Sequence, residues 1–276
     1  MHLILTGATG LVGSAVLDAM LAAKEVTKIS ILSRRPVRMA EDRATTDGGG
    51  ADRVRVIVHS DFTSYDAAVL DKLKGAVGCV WALGVSQNKV TADEYVRITK
   101  DYPLAAAKAF ATLPTASSSA APFRFVYVSG EGATQTPGRF SAIFARVKGE
   151  TEKALAELSA TTGEKPGSQP QPQPLLRADS VRPAFVDAAN HAAIKPYIPN
   201  PGLLYNATVL TLGPVFRSAY RRMHSPTEVL GGFLTQLAAG GIDDAKVEGP
   251  GAFRLGSSSS GSWVVENVGF RRIMGL

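Results

Sequence analysis

A glycine-rich turn near the start of the chain constrains the fold more than any other feature of the sequence. An apolar run at residues 3–5 leads into three evenly spaced glycines, Gly7, Gly10 and Gly13. Apolar side chains then recur every three or four positions from Val12 to Met20, as on one face of a helix. This order predicts a buried strand, a tight turn and a helix, which together make the first βα unit of a parallel sheet.

The same alternation continues along the first 160 residues. Short apolar runs predict further strands at residues 29–32, 54–58, 78–84 and 123–130. Helical patterns follow these runs at about residues 64–74, 91–113 and 140–160. The alternation indicates an α/β protein with a doubly wound, mainly parallel sheet of the Rossmann type.

After residue 160 the alternation breaks down. A Gln/Pro-rich segment at residues 167–174 predicts an extended loop, and a strand at 178–185 is expected to rejoin the sheet. A later helix is predicted to start at Ser225, because Pro226 and Glu228 complete a capping pattern. We therefore expect a single domain over residues 1–276, in which residues 186–250 form mostly a small C-terminal substrate lobe.

The composition narrows the classes of function. The chain has one cysteine, Cys79, which excludes an intramolecular disulfide, and its four histidines argue against a metal site. The net charge of +6 is too small and dispersed to indicate nucleic-acid binding, and it suits an anionic small molecule equally well. No apolar segment approaches the roughly 18 residues of a membrane span, and no leader-like segment precedes the first strand. We expect a cytoplasmic protein with a small-molecule partner, and leave open whether it forms oligomers.

The glycine turn has the spacing of a dinucleotide-binding site. In such sites the first glycine permits the turn, the second lets a pyrophosphate approach, and the third lets helix and strand pack closely. The first N–H groups of the helix then bind the phosphates. The residues predicted to form this cradle are Gly7, Thr9, Gly10, Leu11, Val12 and Gly13. The alternative is an ordinary βα turn with packing glycines.

The end of the second predicted strand indicates which dinucleotide is bound. An NAD site usually offers Asp or Glu here to the ribose 2′-hydroxyl, whereas this chain has Ser33, Arg34 and Arg35. Guanidinium groups bind a 2′-phosphate through charge-assisted bidentate hydrogen bonds. The sequence therefore predicts NADP(H) rather than NAD(H), with a solvated basic turn as the alternative.

Two further strand ends complete the predicted cleft. Ligands of doubly wound sheets bind outside the carboxyl ends of the strands. Asp61 and Phe62 follow the third strand and are expected to flank the adenine. Leu83 and Gly84 end the fourth strand and are expected to line the nicotinamide side.

Taken together, these motifs resemble an atypical short-chain dehydrogenase/reductase. Within that superfamily the chain is similar to the NmrA-like and Tat-interacting-protein-like NAD(P)-binding proteins, including fungal members described as nucleoside-sugar-epimerase-like. The matching stretches are TGATGLVG at 6–13, SRR at 33–35, VYVSG at 126–130, VKGE at 147–150 and VRPAFV at 181–186. They span most of residues 1–190, and the last third of the chain resembles the family only loosely.

The resemblance also implies catalytic positions. The family places a serine at the end of the fifth strand and Tyr-x-x-x-Lys on the next helix, and Ser129 and Lys148 match two of these residues. The serine would polarise the substrate, and the lysine would hold the nicotinamide ribose. The tyrosine position is Phe144, which has no proton to give. Arg182 and Pro183 match the family's loop beneath the nicotinamide.

Three functions fit this pattern. The leading hypothesis is an NADP(H)-dependent oxidoreductase acting on a small organic carbonyl, alcohol or C=C substrate. The sequence does not decide its proton donor. The candidates are Tyr127, Tyr197, Tyr205, His224 and a water relayed by Ser129. The alternatives are a redox-silent NADPH-binding regulatory protein and a non-redox isomerase or cyclase on the same fold.

Overall fold

The computed structural model describes residues 1–46, 53–113, 121–161, 175–199, 213, 216–217, 219–256 and 261–276. The predicted loop at residues 167–174 and the acid candidate Tyr205 lie outside these ranges. None of the helices in the described ranges is long and apolar enough to cross a bilayer.

The described residues form one large sheet of eight strands. The strands are β1 (His2–Thr6), β2 (Lys28–Ser33), β3 (Val54–Val58), β4 (Ala76–Trp81), β5 (Phe123–Val128), β6 (Leu176–Arg182), β9 (Ala252–Leu255) and β10 (Ser262–Glu266). Their order across the sheet is β3-β2-β1-β4-β5-β6-β10-β9. Every neighbouring pair is parallel except β10 and β9. The predicted α/β fold with a doubly wound, mainly parallel sheet is confirmed.

Helices connect the strands of this sheet. They are α1 (Leu11–Ala22), α2 (Arg38–Thr46), α3 (Ala67–Leu73), α4 (Ala92–Val96), α5 (Tyr102–Phe110), α6 (Ile143–Thr161), α7 (Thr227–Ala239), α8 (Asp244–Val247) and α9 (Asn267–Met274). A five-residue π-helical stretch, Arg97–Asp101, joins α4 to α5 within the helix that the sequence predicted as continuous. A separate parallel pair, β7 (Phe185–Asp187) and β8 (His224–Pro226), stands beyond the end of β6.

The two faces of the sheet carry separate apolar cores, which explains the continuous apolar strands. Successive side chains of a strand point to opposite faces. Leu3 and Leu5 of β1 pack in the core beneath α1 and α7, whereas Ile4 packs in the core beneath α5. Because β1 is buried on both faces, its sequence shows an apolar run rather than an alternation.

Two predicted helix starts are wrong. The first helix turn after the polar loop begins at Ile143 rather than near residue 140, and Phe140 is 95% exposed. Ser225 does not cap α7, which starts at Thr227 with Pro226 before it and no side-chain cap. The Ser225 hydroxyl is already engaged, because it donates to Asn267 Oδ1 (2.6 Å) and accepts from the Ala184 N–H (3.0 Å).

The C-terminal residues contribute more to the sheet than the sequence indicated. We expected a substrate lobe over residues 186–250 and predicted no strand after residue 185. Instead β10 is buried and pairs in parallel with β6, with Val264 opposite Ser180 and Val265 opposite Val181. The end of the chain is therefore part of the central fold.

Candidate functional site

The glycine turn lies where the order of the sheet reverses. β1 pairs with β2 on one side and with β4 on the other, so the crevice between their connections opens at the carboxyl end of β1. Gly7 has a φ of +72°, in the left-handed region that favours glycine. A side chain there would also overlap the chain after β4, with a Cβ only 2.7 Å from the Leu83 nitrogen. Both constraints require glycine at position 7.

The third glycine lets α1 start directly against this turn. A Cβ on Gly13 would overlap the Gly7 carbonyl group, lying 2.5 Å from its carbon and 2.9 Å from the Ala8 nitrogen. Gly10 stands at the N-cap position of α1, and no side chain caps the helix there. The first N–H groups of α1 are therefore left without a side-chain partner, as a phosphate site requires.

A cleft of about 380 Å³ extends from the turn to the end of β2. Its lining combines Leu32 with residues that the sequence predicted in separate motifs. These predicted residues are Gly7, Thr9, Ser33, Arg34, Arg35, Phe62 and Leu83. The other predicted site residues do not line this cleft; they are Gly10, Leu11, Val12, Gly13, Asp61, Gly84, Ser129, Lys148, Arg182 and Pro183.

The two arginines stand at the open end of this cleft. Both Arg34 and Arg35 are exposed. Within the described part of the chain, neither guanidinium forms an ion pair with a carboxylate. Ser33 accepts a long hydrogen bond (3.4 Å) from the backbone N–H of Arg35. The guanidinium groups are thus free to bind an anion.

Asp61 and Phe62 have different environments. The Asp61 carboxylate accepts hydrogen bonds from the Thr63 N–H (2.9 Å) and from the Ser64 hydroxyl (2.8 Å). With the Thr63 hydroxyl, these donors lower the pKa of Asp61 to about 2. Phe62 is buried edge-on against Trp81, with ring centroids 5.9 Å apart. Asp61 therefore stabilises the turn that places Phe62 in the cleft wall.

Ser129 and Lys148 are neighbours, but they interact through the serine backbone. The Lys148 Nζ donates to the Ser129 carbonyl oxygen at 2.5 Å. Burial lowers the pKa of Lys148 to about 8, although the nearby Glu152 carboxylate raises it. The ammonium group can therefore lose a proton close to neutral pH.

The Ser129 hydroxyl is bound to a carboxylate that the sequence analysis did not single out. Its Oγ donates to Glu152 Oε1 at 2.5 Å, and both residues are buried. Arg182 donates to the same carboxylate from Nε (2.9 Å) and Nη2 (2.6 Å), and Gln135 donates from its side-chain amide. The signal that could have revealed Glu152 is its spacing, since it follows Lys148 by four residues on one helix.

The positions proposed for a proton donor are scattered. Phe144 is partly buried on the first turn of α6, and its N–H donates to the Gln87 side chain (3.0 Å). Tyr127 is buried in the core, where its hydroxyl donates to the Thr99 carbonyl (3.1 Å). His224 contacts the buried Asp187 through Nε2 (3.0 Å). Tyr197 lies under the guanidinium of Arg38, 5.8 Å from its ring centroid.

The segment after β6 is fixed to its neighbours. The Pro183 carbonyl accepts from the Glu131 N–H (2.9 Å), and Arg182 also approaches Glu266 (3.5 Å). The guanidinium of Arg182 lies over the Phe253 ring at 5.3 Å. Arg182 is thus held in the interior by Glu152 rather than in the lining of the cleft. No group of three or more His, Cys, Asp or Glu side chains within the described ranges could hold a metal ion.

Solved structures with the same architecture identify the fold. The chain aligns with a short-chain dehydrogenase/reductase from Mycobacterium ulcerans with a TM-score of 0.58 and 17% identity, over 98% of this chain and 89% of that one. It aligns with MoeE5 in complex with UDP-glucose and NAD with a TM-score of 0.57 and 14% identity, over 96% and 75% of the two chains. The chain has the short-chain dehydrogenase/reductase fold.

Sequence relatives define the family. Botcinic acid biosynthesis cluster B protein 16 of Botryotinia fuckeliana is 43% identical over 173 residues, which are 63% of this chain and 98% of that protein. Leucinostatins biosynthesis cluster protein T of Purpureocillium lilacinum is 38% identical over 224 residues, covering 79% of this chain and 77% of that protein. The chain belongs to the family that contains these two fungal biosynthesis-cluster proteins. No protein-family model matches the chain.

Proposed function

We propose that the chain is an NADP(H)-dependent oxidoreductase of the NmrA-like group of atypical short-chain dehydrogenase/reductases. Its substrate is a small organic carbonyl, alcohol or C=C compound. The observation that carries the proposal is the cleft that runs from the glycine turn to Arg34 and Arg35. Because two relatives are named for the botcinic acid and leucinostatins biosynthesis clusters, we place the substrate among secondary-metabolite intermediates.

The residues present fit a phosphorylated dinucleotide. Gly7 and Gly13 leave no room for side chains at the turn, and the uncapped start of α1 offers N–H groups to a pyrophosphate. Arg34 and Arg35 supply positive charge at the far end of the cleft, where an adenosine 2′-phosphate would lie. Phe62 offers an apolar wall to the adenine. When bound, NADP(H) supplies or accepts the hydride.

We assign Lys148, which lies beside Ser129, to the nicotinamide side of the cofactor. Its ammonium group can hold a ribose hydroxyl, and its pKa of about 8 allows proton exchange near neutral pH. Ser129 orients Lys148 through its carbonyl oxygen.

The test is a comparison of NADPH and NADH binding to the unaltered protein and to Arg34→Ala and Arg35→Ala. We expect the unaltered protein to bind NADPH at least about tenfold more tightly, since a charged hydrogen bond contributes about 1.5–3 kcal/mol and exposure reduces this value. Each variant should lose NADPH affinity and keep its NADH affinity. Arg97→Ala is the matched control, because Arg97 is an exposed arginine outside the cleft. Equal affinity of the unaltered protein for both cofactors would refute the NADP(H) assignment.

A redox-silent NADPH-binding protein is the second candidate. It is favoured by Phe144 at the acid position and by the Ser129 hydroxyl, whose hydrogen is already donated to Glu152. An assay of NADPH oxidation against a panel of aldehydes, ketones and enones separates the two candidates. Tight NADPH binding without turnover on any member would favour the binding protein.

A further inference from the structure

Glu152 is a buried carboxylate at the centre of a hydrogen-bond network. It is 1% exposed and accepts hydrogen bonds from three side chains, those of Ser129, Arg182 and Gln135. These partners come from the end of β5, the end of β6 and the loop before α6. A buried carboxylate is stable only when it is paired and hydrogen-bonded, and Glu152 fulfils both conditions.

The network fixes the direction of the Ser129 hydroxyl. A serine hydroxyl has one hydrogen and two lone pairs, and the hydrogen of Ser129 is directed at Glu152 Oε1. A carboxylate can only accept, so this direction cannot reverse while Glu152 is ionised. Only the lone pairs of Ser129 Oγ remain for a ligand. Ser129 can therefore accept from a hydroxyl group but cannot donate to a carbonyl oxygen.

The same carboxylate acts on Lys148. Residues four apart on a helix lie on the same face, so Glu152 follows Lys148 one turn later on α6. The Glu152 charge raises the pKa of Lys148 and opposes the effect of burial. Without the Glu152 charge, Lys148 would be neutral over a wider range of pH.

We propose that Glu152 is a positioning residue, which keeps the Ser129 hydroxyl in the acceptor orientation and holds a negative charge one helical turn from Lys148. Arg182 is its counterion and acts through it. This proposal deepens the proposed function, because Ser129 and Lys148 matter only if the cleft binds a hydroxyl-bearing ligand. It assigns the ligand group next to Ser129 as a hydrogen-bond donor, such as a ribose or substrate hydroxyl.

The experiment measures the titration of Lys148 directly. The reactivity of its amine toward a small acylating reagent is followed by peptide mass spectrometry from about pH 6 to about pH 10, which brackets its pKa of about 8. In Glu152→Gln we expect the pKa of Lys148 to fall by at least about one unit, as loss of an opposite charge within ~4–6 Å produces. The reactive fraction at pH below the midpoint then rises about tenfold.

Glu150→Gln is the matched control. Glu150 lies two residues before Glu152 on the same helix, but it is partly exposed and pairs with Lys100 at 3.0 Å. The Glu150→Gln substitution also removes one negative charge from α6, but it leaves the partner of Ser129 in place. Lys148 should therefore titrate as in the unaltered protein. If Glu152→Gln fails to fold because Arg182 loses its counterion, Glu152→Gln/Arg182→Gln removes both buried charges and should lower the pKa of Lys148 in the same direction.

The binding of NADPH gives a second readout. Its affinity should decline with rising pH as Lys148 loses its proton, and the midpoint of that decline should move to lower pH in Glu152→Gln. An unchanged titration of Lys148 in a folded Glu152→Gln protein would overturn the positioning role. Failure of the unaltered protein to bind NADPH would instead overturn the proposed function, while the titration would still decide the role of Glu152.

Discussion

Replacement of Gly13 by alanine should abolish cofactor binding at a modest cost in stability. The added Cβ would lie 2.5 Å from the Gly7 carbonyl carbon, against 3.4 Å for ordinary van der Waals contact. Either the turn or α1 must therefore retreat by more than about 0.9 Å, because the Gly7 carbonyl oxygen lies nearer still. Overpacking of this kind costs about 1–3 kcal/mol of folding stability.

The effect on binding should be larger, because the phosphate cradle is the part that moves. A hydrogen bond to a charged group contributes about 1.5–3 kcal/mol, so loss of two N–H contacts removes about 3–6 kcal/mol. A loss of this size weakens NADPH binding by a factor of at least about 100. The assay is a fluorescence titration with NADPH, at a temperature where urea denaturation shows both proteins to be folded.

Two glycines of α7 provide matched controls. A Cβ on Gly231 would lie 2.6 Å from the Ala15 carbonyl carbon, so it would press on α1 beyond its first turn and would not touch the glycine turn. Gly231→Ala should destabilise the fold comparably and largely keep NADPH affinity. Gly232 has open space around its Cβ position, so Gly232→Ala should change neither property adversely. Binding by Gly13→Ala within about threefold of the unaltered protein, about 0.7 kcal/mol, would refute the reasoning.

Two further predictions concern the buried His2 of β1 and the position of Phe144. Burial lowers the pKa of His2 from 6.5 to about 4, so the unfolded chain binds the extra proton between these values. The free energy of unfolding should consequently fall by up to about 3 kcal/mol as the pH drops from 6.5 to 4. Urea denaturation of His2→Asn should not show this fall. Phe144→Tyr should raise carbonyl-dependent NADPH oxidation at least about tenfold if position 144 is that of a lost acid, as general acids contribute about 10²–10⁴. Phe140→Tyr, at a 95% exposed position, is the control, and an unchanged rate in Phe144→Tyr would exclude position 144 as that of the acid.

The succession of β1 to β5 along the chain could be predicted because each of these strands is rich in apolar residues and lies between turns. Strands buried on both faces need such runs, and the helices between them need a 3.6-residue period. β10 was missed because its apolar core, Trp263 to Val265, is short and follows a Ser/Gly-rich stretch. Nothing local in that segment indicates that it extends the sheet beyond β6.

The start of α7 shows how tertiary contacts can override a local pattern. Ser225, Pro226 and Glu228 satisfy the usual helix-start signals. The same serine oxygen is needed at the junction of three segments, where it joins Ala184 to Asn267. Because this hydroxyl is directed at Ala184 and Asn267, it does not cap the helix, and the helix begins two residues later.

The backbone geometry of the glycine turn was easier to predict than the hydrogen bonds around Ser129 for a physical reason. A phosphate cradle depends on backbone geometry, and the steric requirement for glycine at positions 7 and 13 is visible in the residue types themselves. Catalysis depends on the direction in which each hydrogen points, and that direction is set by partners distant in sequence. Ser129 is read as a donor when it is considered alone, yet Glu152, held in turn by Arg182, makes it an acceptor. Phe144 has no hydroxyl, and the hydroxyl hydrogen of Ser129 is donated to Glu152. We therefore propose Lys148 as the group that bears the proton, and the Glu152 charge is the variable to test first.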